Sequence, residues 1–293
     1  KFIEQPIRHK KIAGKKVYLF FVATTITSLV AGLIISATSS SMISVKGTNY
    51  KFNLIDVMEK PAVYGDDCHV NYGETKSGYC TYGDKKSNRT LVLYGDSHAA
   101  QWFPALEQIA LERGYKLISL TKSACPAVDA PREDQGAFKN VHCEKWRQNS
   151  IARIKSIRPD AVITSSFQYF TPPSGFPSKS RWWDDGQRRL LSELRGSSNH
   201  LIYISDTPRP LRDIPNCLAS RDSHTCDSTE KTRNVIINGF EKIDPTPWLC
   251  TSYCPAIKDG YVVYRDASHI SVAASLALKP ELEKALLAKG LFS

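Results

Sequence analysis

Beyond residue 16 the sequence has no long basic stripe, even though its formal net charge is +10. Nucleic-acid binding needs such a stripe, so the charge argues little for that class. There is no internal repeat and no long low-complexity tract, which sets aside solenoids and disordered scaffolds. No cysteine precedes Cys68, and the cysteines nowhere form two close ligand pairs. Zinc is therefore only a rival reading around Cys250-x-x-x-Cys254, and no metal is expected. Long apolar runs are missing too, with one exception near the N-terminus.

That exception is 17–37, apolar and uncharged throughout. A helix of this length spans roughly 30 Å, the thickness of a bilayer core. Its threonines and serines are tolerated because hydroxyls bond back to helix carbonyls. Before it stand Lys1, Arg8, Lys10, Lys11, Lys15 and Lys16 against Glu4 alone, and after it comes a Ser/Thr-rich stretch. The positive-inside rule places 1–16 in the cytoplasm and the chain from residue 40 outside it, with 17–37 as one transmembrane helix. A buried helix of a soluble protein is one competitor. A cleaved signal peptide is another, with Ala37-Thr38-Ser39 as its cleavage site. Against cleavage stand the length of the run and a first residue that is not Met.

The eight cysteines, Cys68, Cys80, Cys125, Cys143, Cys217, Cys226, Cys250 and Cys254, all follow this segment. Eight cysteines allow 105 pairings. Their spacing suggests four local ones: 68–80, 125–143, 217–226 and 250–254. Disulfides imply an oxidising compartment, most simply a bacterial periplasm behind an inner-membrane anchor.

Residues 38–50 read as a polar tether and 51–88 as a Gly-, Asp- and Lys-rich extension packed on the main domain, so 38–88 forms one linker region. From 89 to 293 short apolar runs alternate with helical patterns. The runs 91–94, 116–120, 161–164 and 201–204 suit parallel strands covered on both faces. Helices are expected at 99–113, 144–157, 184–195 and 229–242, and a fifth strand near 246–249. Lys258-Asp259-Gly260-Tyr261 reads as a tight hairpin turn before a strand at 261–264. A helix over 272–287 closes the chain, broken or kinked at Pro280. The expected fold is a three-layer α/β/α domain with a parallel, flavodoxin-like sheet.

Two short motifs carry chemistry. Gly95-Asp96-Ser97-His98 ends the first strand, where open α/β sheets place their active sites. Asp266-Ala267-Ser268-His269 precedes the last helical stretch. Together they supply Ser97 as nucleophile, His269 as base and Asp266 as the carboxylate that fixes its tautomer, in the order Ser…Asp…His. The plainer alternatives are an N-cap at Asp96 or Ser97 and a surface histidine at a helix start. Asp96 is a rival orienting carboxylate, but its adjacency to Ser97 aims it at backbone amides. His98 has no carboxylate three residues away on either side.

The stretches Leu-Tyr-Gly-Asp-Ser-His-Ala-Ala-Gln-Trp (93–102) and Tyr-Arg-Asp-Ala-Ser-His-Ile-Ser (264–271), with Cys125-Pro126, resemble the SGNH domains fused to the C-terminus of bacterial acyltransferase family 3 membrane proteins. Residues 1–8 resemble the Glu-x-Pro-x-Arg ending of that family's membrane domain. The resemblance implies a partner membrane domain preceding this chain, acetyl-CoA as ultimate donor, and O-acetylation of envelope polysaccharide, often lipopolysaccharide O-antigen. SGNH enzymes generally offer an oxyanion-hole Gly after the second strand and an Asn after the third. This sequence has Thr121-Lys122-Ser123-Ala124-Cys125 and Thr164-Ser165-Ser166-Phe167 there. The hole would then rest on backbone N–H groups near Ser97 and Ser123/Ala124, with a hydroxyl of Ser165 or Ser166. Tyr169, Trp182 and Trp183 offer flat rings for a sugar, although the plainer reading of Trp182 or Trp183 is a helix start that packs inward. The function expected is O-acetyl transfer through an acyl-serine. Removal of acetyl groups by the same triad, or a non-catalytic glycan-binding ectodomain, are the alternatives.

Overall fold

The computed structural model describes residues 14–39, 42–176, 178–229 and 239–292. Seven strands make one sheet: β1 (His69–Val70), β2 (Thr81–Gly83), β3 (Thr90–Gly95), β4 (Lys116–Lys122), β5 (Ala161–Ser165), β6 (His200–Ile204) and β7 (Glu241–Ile243). Their spatial order is β1-β4-β3-β5-β6-β7, and β2 pairs antiparallel with β4 while every other neighbour is parallel. Taken alone, β3 to β7 run 2-1-3-4-5, the flavodoxin-like order. The chain reverses direction across the sheet at β3, so its carboxyl end opens on the crevice where such folds bind ligands.

The alternation of side chains along β3 divides the core. Leu91 and Leu93 face one cluster, and Val92 and Tyr94 face the other. On the first face lie α3 (Phe103–Glu112), α7 (Val272–Ala277) and α8 (Lys279–Ala288), set behind a single turn, α2 (Ser97–Ala100). Phe103, Leu106, Ile109 and Ala110 of α3 are buried at helical spacing. On the second face lie α4 (Asn140–Ile157) and α5 (Lys179–Leu194), which bury Cys143, Trp146, Ile154, Leu190 and Leu194. Pro104 and Pro280 each sit in a first turn, where no N–H is missed. The expected break at Pro280 is thus the joint between α7 and α8.

The extension contributes more than a covering. β1 and β2 both bond to β4, and the Lys122 ammonium, at the end of β4, is held by the carbonyls of Asn71, Tyr72 and Glu74. Burial lowers that lysine's pKa to about 8. The four disulfides join the pairs expected, with Cα separations of 6.1, 5.4, 5.9 and 4.2 Å, and no cysteine is free. Ile257–Lys258 and Tyr261–Val262 form the predicted hairpin, with both Asp259 (φ 46°) and Gly260 (φ 83°) in the left-handed region that such a turn requires.

Two expectations change. The fifth strand lies at Glu241–Ile243, whereas Thr246–Leu249 is a helical turn with a proline in its start. The helix expected over 229–242 falls mostly outside the described residues, and its end, 241–242, is strand. The long helix α1 (Gly14–Ser39) has 26 residues, and the side chains described in it, 18–32, are all exposed. Among the described residues no helix is long and apolar enough to cross a membrane. Both ends of the expected 17–37 span lie outside the described side chains, and 1–13 lie outside the described residues altogether.

Candidate active site

Gly95 decides how Ser97 is presented. A Cβ built there would stand 2.0 Å from the Ser165 carbonyl oxygen and 2.9 Å from the Ala99 Cβ, so only glycine lets the strand turn so close to β5. Asp96 follows as the N-cap of α2, fully buried. One of its oxygens accepts the His98 N–H at 2.8 Å and the other the Phe167 N–H at 2.9 Å. Burial raises its pKa to about 6 against the pull of His98 and these amides. It points at the backbone, as its position next to Ser97 suggested, and not at a catalytic imidazole.

Ser97 opens α2 half-buried and lines a cavity of about 370 Å³ at the carboxyl end of β3. His269 and Asp266 line the same cavity. The Asp266 carboxylate accepts the His269 Nδ1–H at 2.8 Å, and its second oxygen accepts the backbone N–H groups of Ser268 and His269, each at 2.8 Å. Burial alone would raise the Asp266 pKa, but these bonds from His269 and Ser268 hold it well below the usual carboxylate range. Burial lowers His269 to about 4, helped by His98 and opposed by Asp266. The low pKa favours a neutral ring, with Nε2 buried and carrying no hydrogen bond. No hydrogen bond joins it to Ser97 in this structure. Such catalytic bonds are often loose before substrate binds.

The loop that carries His269 is tied directly to the turn that carries Ser97. Gln101, just past α2, accepts the Ile270 N–H at 2.9 Å. Ser271 then caps α7 by accepting the Ala274 N–H at 3.0 Å. An antiparallel bridge between Tyr264 and Ile270 closes the loop at its base.

The oxyanion candidates divide. Ser123 and Ala124 line the cavity, but the Ser123 N–H is spent on the Val70 carbonyl (2.9 Å) and its hydroxyl lies 3.0 Å from His69 Nε2. The Ala124 N–H, on a backbone turned left-handed (φ 53°), is what this loop has to offer beside the Ser97 N–H. Ser165 and Ser166 are corrected: both are fully buried and neither lines the cavity, and the Ser166 hydroxyl accepts the Ala127 N–H. Trp182 and Trp183 are corrected as well. Both are buried with Val128 and Ala130, and Trp182 donates to the Pro131 carbonyl at 2.9 Å, so they form core and not a sugar platform. Tyr169 stays half-exposed against Phe167, under the Arg209 guanidinium. The rings that do line the cavity are Tyr64, Tyr72, Phe167 and Phe170.

One pair escaped the sequence. His98 Nδ1 lies 2.6 Å from the Asp206 carboxylate, both groups buried. Asp206 follows β6, and it also accepts the N–H groups of Thr207 and Gln168. The two partners stand 108 residues apart. The only available signal was an aspartate placed just after a parallel strand.

The sequence model of the family described as "SGNH domain (fused to AT3 domains)" matches residues 67–284. Among solved structures, the periplasmic domain of the lipopolysaccharide acetyltransferase of Salmonella ser. Paratyphi A aligns over 77% of this chain and 88% of its own length, at 16% identity and a TM-score of 0.55. At that identity the likeness shows the fold. A putative acylhydrolase of Bacteroides fragilis aligns over 71% of this chain and 90% of its own, at 10% identity and a TM-score of 0.41. No protein of curated function matches. The fold, the match over most of the chain and the cavity at the end of β3 agree: this chain belongs to the family of SGNH domains that are fused to AT3 domains.

Proposed function

We propose that this chain is the periplasmic part of an O-acetyltransferase that passes an acetyl group through Ser97 to a sugar hydroxyl of envelope polysaccharide, foremost lipopolysaccharide O-antigen. The observation that carries this reading is that Ser97 and the Asp266–His269 pair, from opposite ends of the domain, open into one cavity. His269 takes the Ser97 proton as the hydroxyl bonds to the acyl carbon, and returns it to the leaving group. A sugar hydroxyl then attacks the acyl-serine, with His269 again as base. Asp266 holds the ring and stabilises the imidazolium. Family membership supports a fused AT3 domain as the partner that hands over acetyl; cytoplasmic acetyl-CoA as the ultimate donor is part of the proposal. The Salmonella protein's description supports lipopolysaccharide as the acceptor and the periplasm as the location. An inner-membrane span over 17–37 is proposed from the sequence alone, on its uncharged run and the basic residues before it.

The test is mass spectrometry of surface polysaccharide from cells that make the full-length protein as wild type or Ser97→Ala. O-acetyl groups should vanish in the variant while its thermal melting is unchanged. Normal acetylation by Ser97→Ala would refute the assignment. Loss of acetyl from pre-acetylated polysaccharide, with no transfer, would make the chain an esterase.

A further inference from the structure

Building on the acyl-serine reading, we propose that His98, held by Asp206, is a second catalytic residue that donates its Nε2–H to the oxyanion formed when Ser97 attacks. The ring lines the same cavity as Ser97 and His269. Asp206 engages Nδ1 at 2.6 Å, so Nε2 is the atom through which His98 can serve that cavity. Asp206 is itself fixed by two backbone N–H groups, which leaves the imidazole little freedom to turn.

The position matters as much as the bond. SGNH enzymes generally place an oxyanion-hole Asn after the third strand, and this chain has none there. The hydroxyls nearest in sequence, those of Ser165 and Ser166, are fully buried and line no part of the cavity. What stands in that loop is Phe167, and His98 packs on its ring with centroids 4.7 Å apart. An imidazole N–H is thus offered beside the loop that lacks the amide.

The charges around the ring favour the donor form. His98 faces Asp206 from the end of β6, Asp96 from its own turn, and Asp266 and His269 from the loop before α7. Burial opposes its charge, but the Asp206 carboxylate and hydrogen bond, backed by Asp96 and Asp266, raise its pKa above the usual value. In the doubly protonated form that this proposal requires, Nδ1–H goes to Asp206 and Nε2–H is left to donate into the cavity. The same charge, with ring centroids 4.5 Å apart, helps keep His269 neutral and able to take a proton. The two adjacent histidines are thereby pushed in opposite directions.

In the step, Ser97 Oγ bonds to the acyl carbon and the carbonyl π pair moves to oxygen. The serine proton passes to His269 Nε2. His98 hydrogen-bonds the resulting anion and keeps its own proton throughout. When the C=O re-forms, the bond to the leaving group breaks and that group departs with the proton from His269.

The experiment measures, on the full chain, the rate at which a fluorophosphonate labels Ser97 and the turnover of 4-nitrophenyl acetate. His98→Leu should slow labelling about 100-fold and lower kcat with KM little moved, the size expected for one lost oxyanion donor. His98→Gln, which keeps an N–H donor, should stay within about tenfold of wild type. Labelling of His98→Leu at the wild-type rate, or an equal loss in His98→Gln, overturns the proposal. Independently of any variant's folding, the His98 Nε2–H proton resonance of the wild type should move downfield when methylboronic acid forms its anionic adduct on Ser97. A resonance that stays in place overturns it too. A wild type that takes no label at Ser97 refutes the acyl-serine reading itself, and this proposal with it.

Discussion

His269 shows how much a side chain's surroundings decide. Free histidine titrates near 6.5, but burial and the neighbouring His98 bring this ring to about 4. The base is deprotonated above its folded pKa. The acid limb of kcat/KM for ester turnover should therefore fall near pH 4 and not near 6.5, and a pH–rate profile checks it. Linkage gives a second effect. Unfolded His269 and His69 take a proton near 6.5, whereas folded they resist to about 4 and 3. Stability they hold at neutral pH is lost as pH falls from 6.5 through those values. Buried Asp96 works the other way: its folded value near 6 exceeds its unfolded 3.8, so its share declines as pH rises between the two. At this scale the sequence was legible where chemistry is local. Asp266 and His269 meet across three residues, and the Asp-x-x-His spacing displays that. His98 and Asp206 meet only because β3 and β6 end at the same rim, and no spacing records it. Trp182 and Trp183 were ambiguous for another reason: a large ring suits a sugar or a core equally well until its neighbours are known.

Among the elements, the turn from β3 into α2 is the one most tightly specified. Gly95→Ala would force a methyl group onto the Ser165 carbonyl, and neither β3 nor β5 can retreat without breaking the ladder between them. We expect it to cost at least about 2 kcal/mol and to displace Ser97, read as a lower melting temperature together with slower fluorophosphonate labelling. The four central strands could be read from their apolar runs because both faces are covered. The outer strands could not. β7 is Glu-Lys-Ile and half-exposed, and β1 and β2 are two and three residues long inside a polar stretch. An edge strand borrows its hydrogen bonds from a neighbour and needs little apolar patterning of its own. Helix α5 was expected from 184, but Ser178 caps it earlier by accepting the Arg181 N–H at 3.1 Å.

Across the whole molecule, the disulfides bind connecting segments to the core. Cys125–Cys143 joins the loop after β4 to α4, and Cys68–Cys80 closes the loop that holds β1 and ends where β2 begins. Each closes a short loop, for which chain entropy suggests roughly 2–4 kcal/mol. Reducing all four under native conditions should lower the melting temperature by more than 10 °C, using about 2–4 °C per kcal/mol for a chain of this size. An unchanged melt would show that the loops hold without them. These pairings were legible because each joins close sequence neighbours, and local bridges are the ones spacing can suggest. Lys60, Tyr64 and Tyr72 help to wall the catalytic cavity, and all three belong to the stretch that follows α1. From Ser39 to Lys60 even a fully stretched chain reaches roughly 70 Å. Under the proposed membrane span of α1, Ser97 is kept on a short leash, and a polymer acceptor would be met in the layer just above the membrane surface, while it is still being built or carried there.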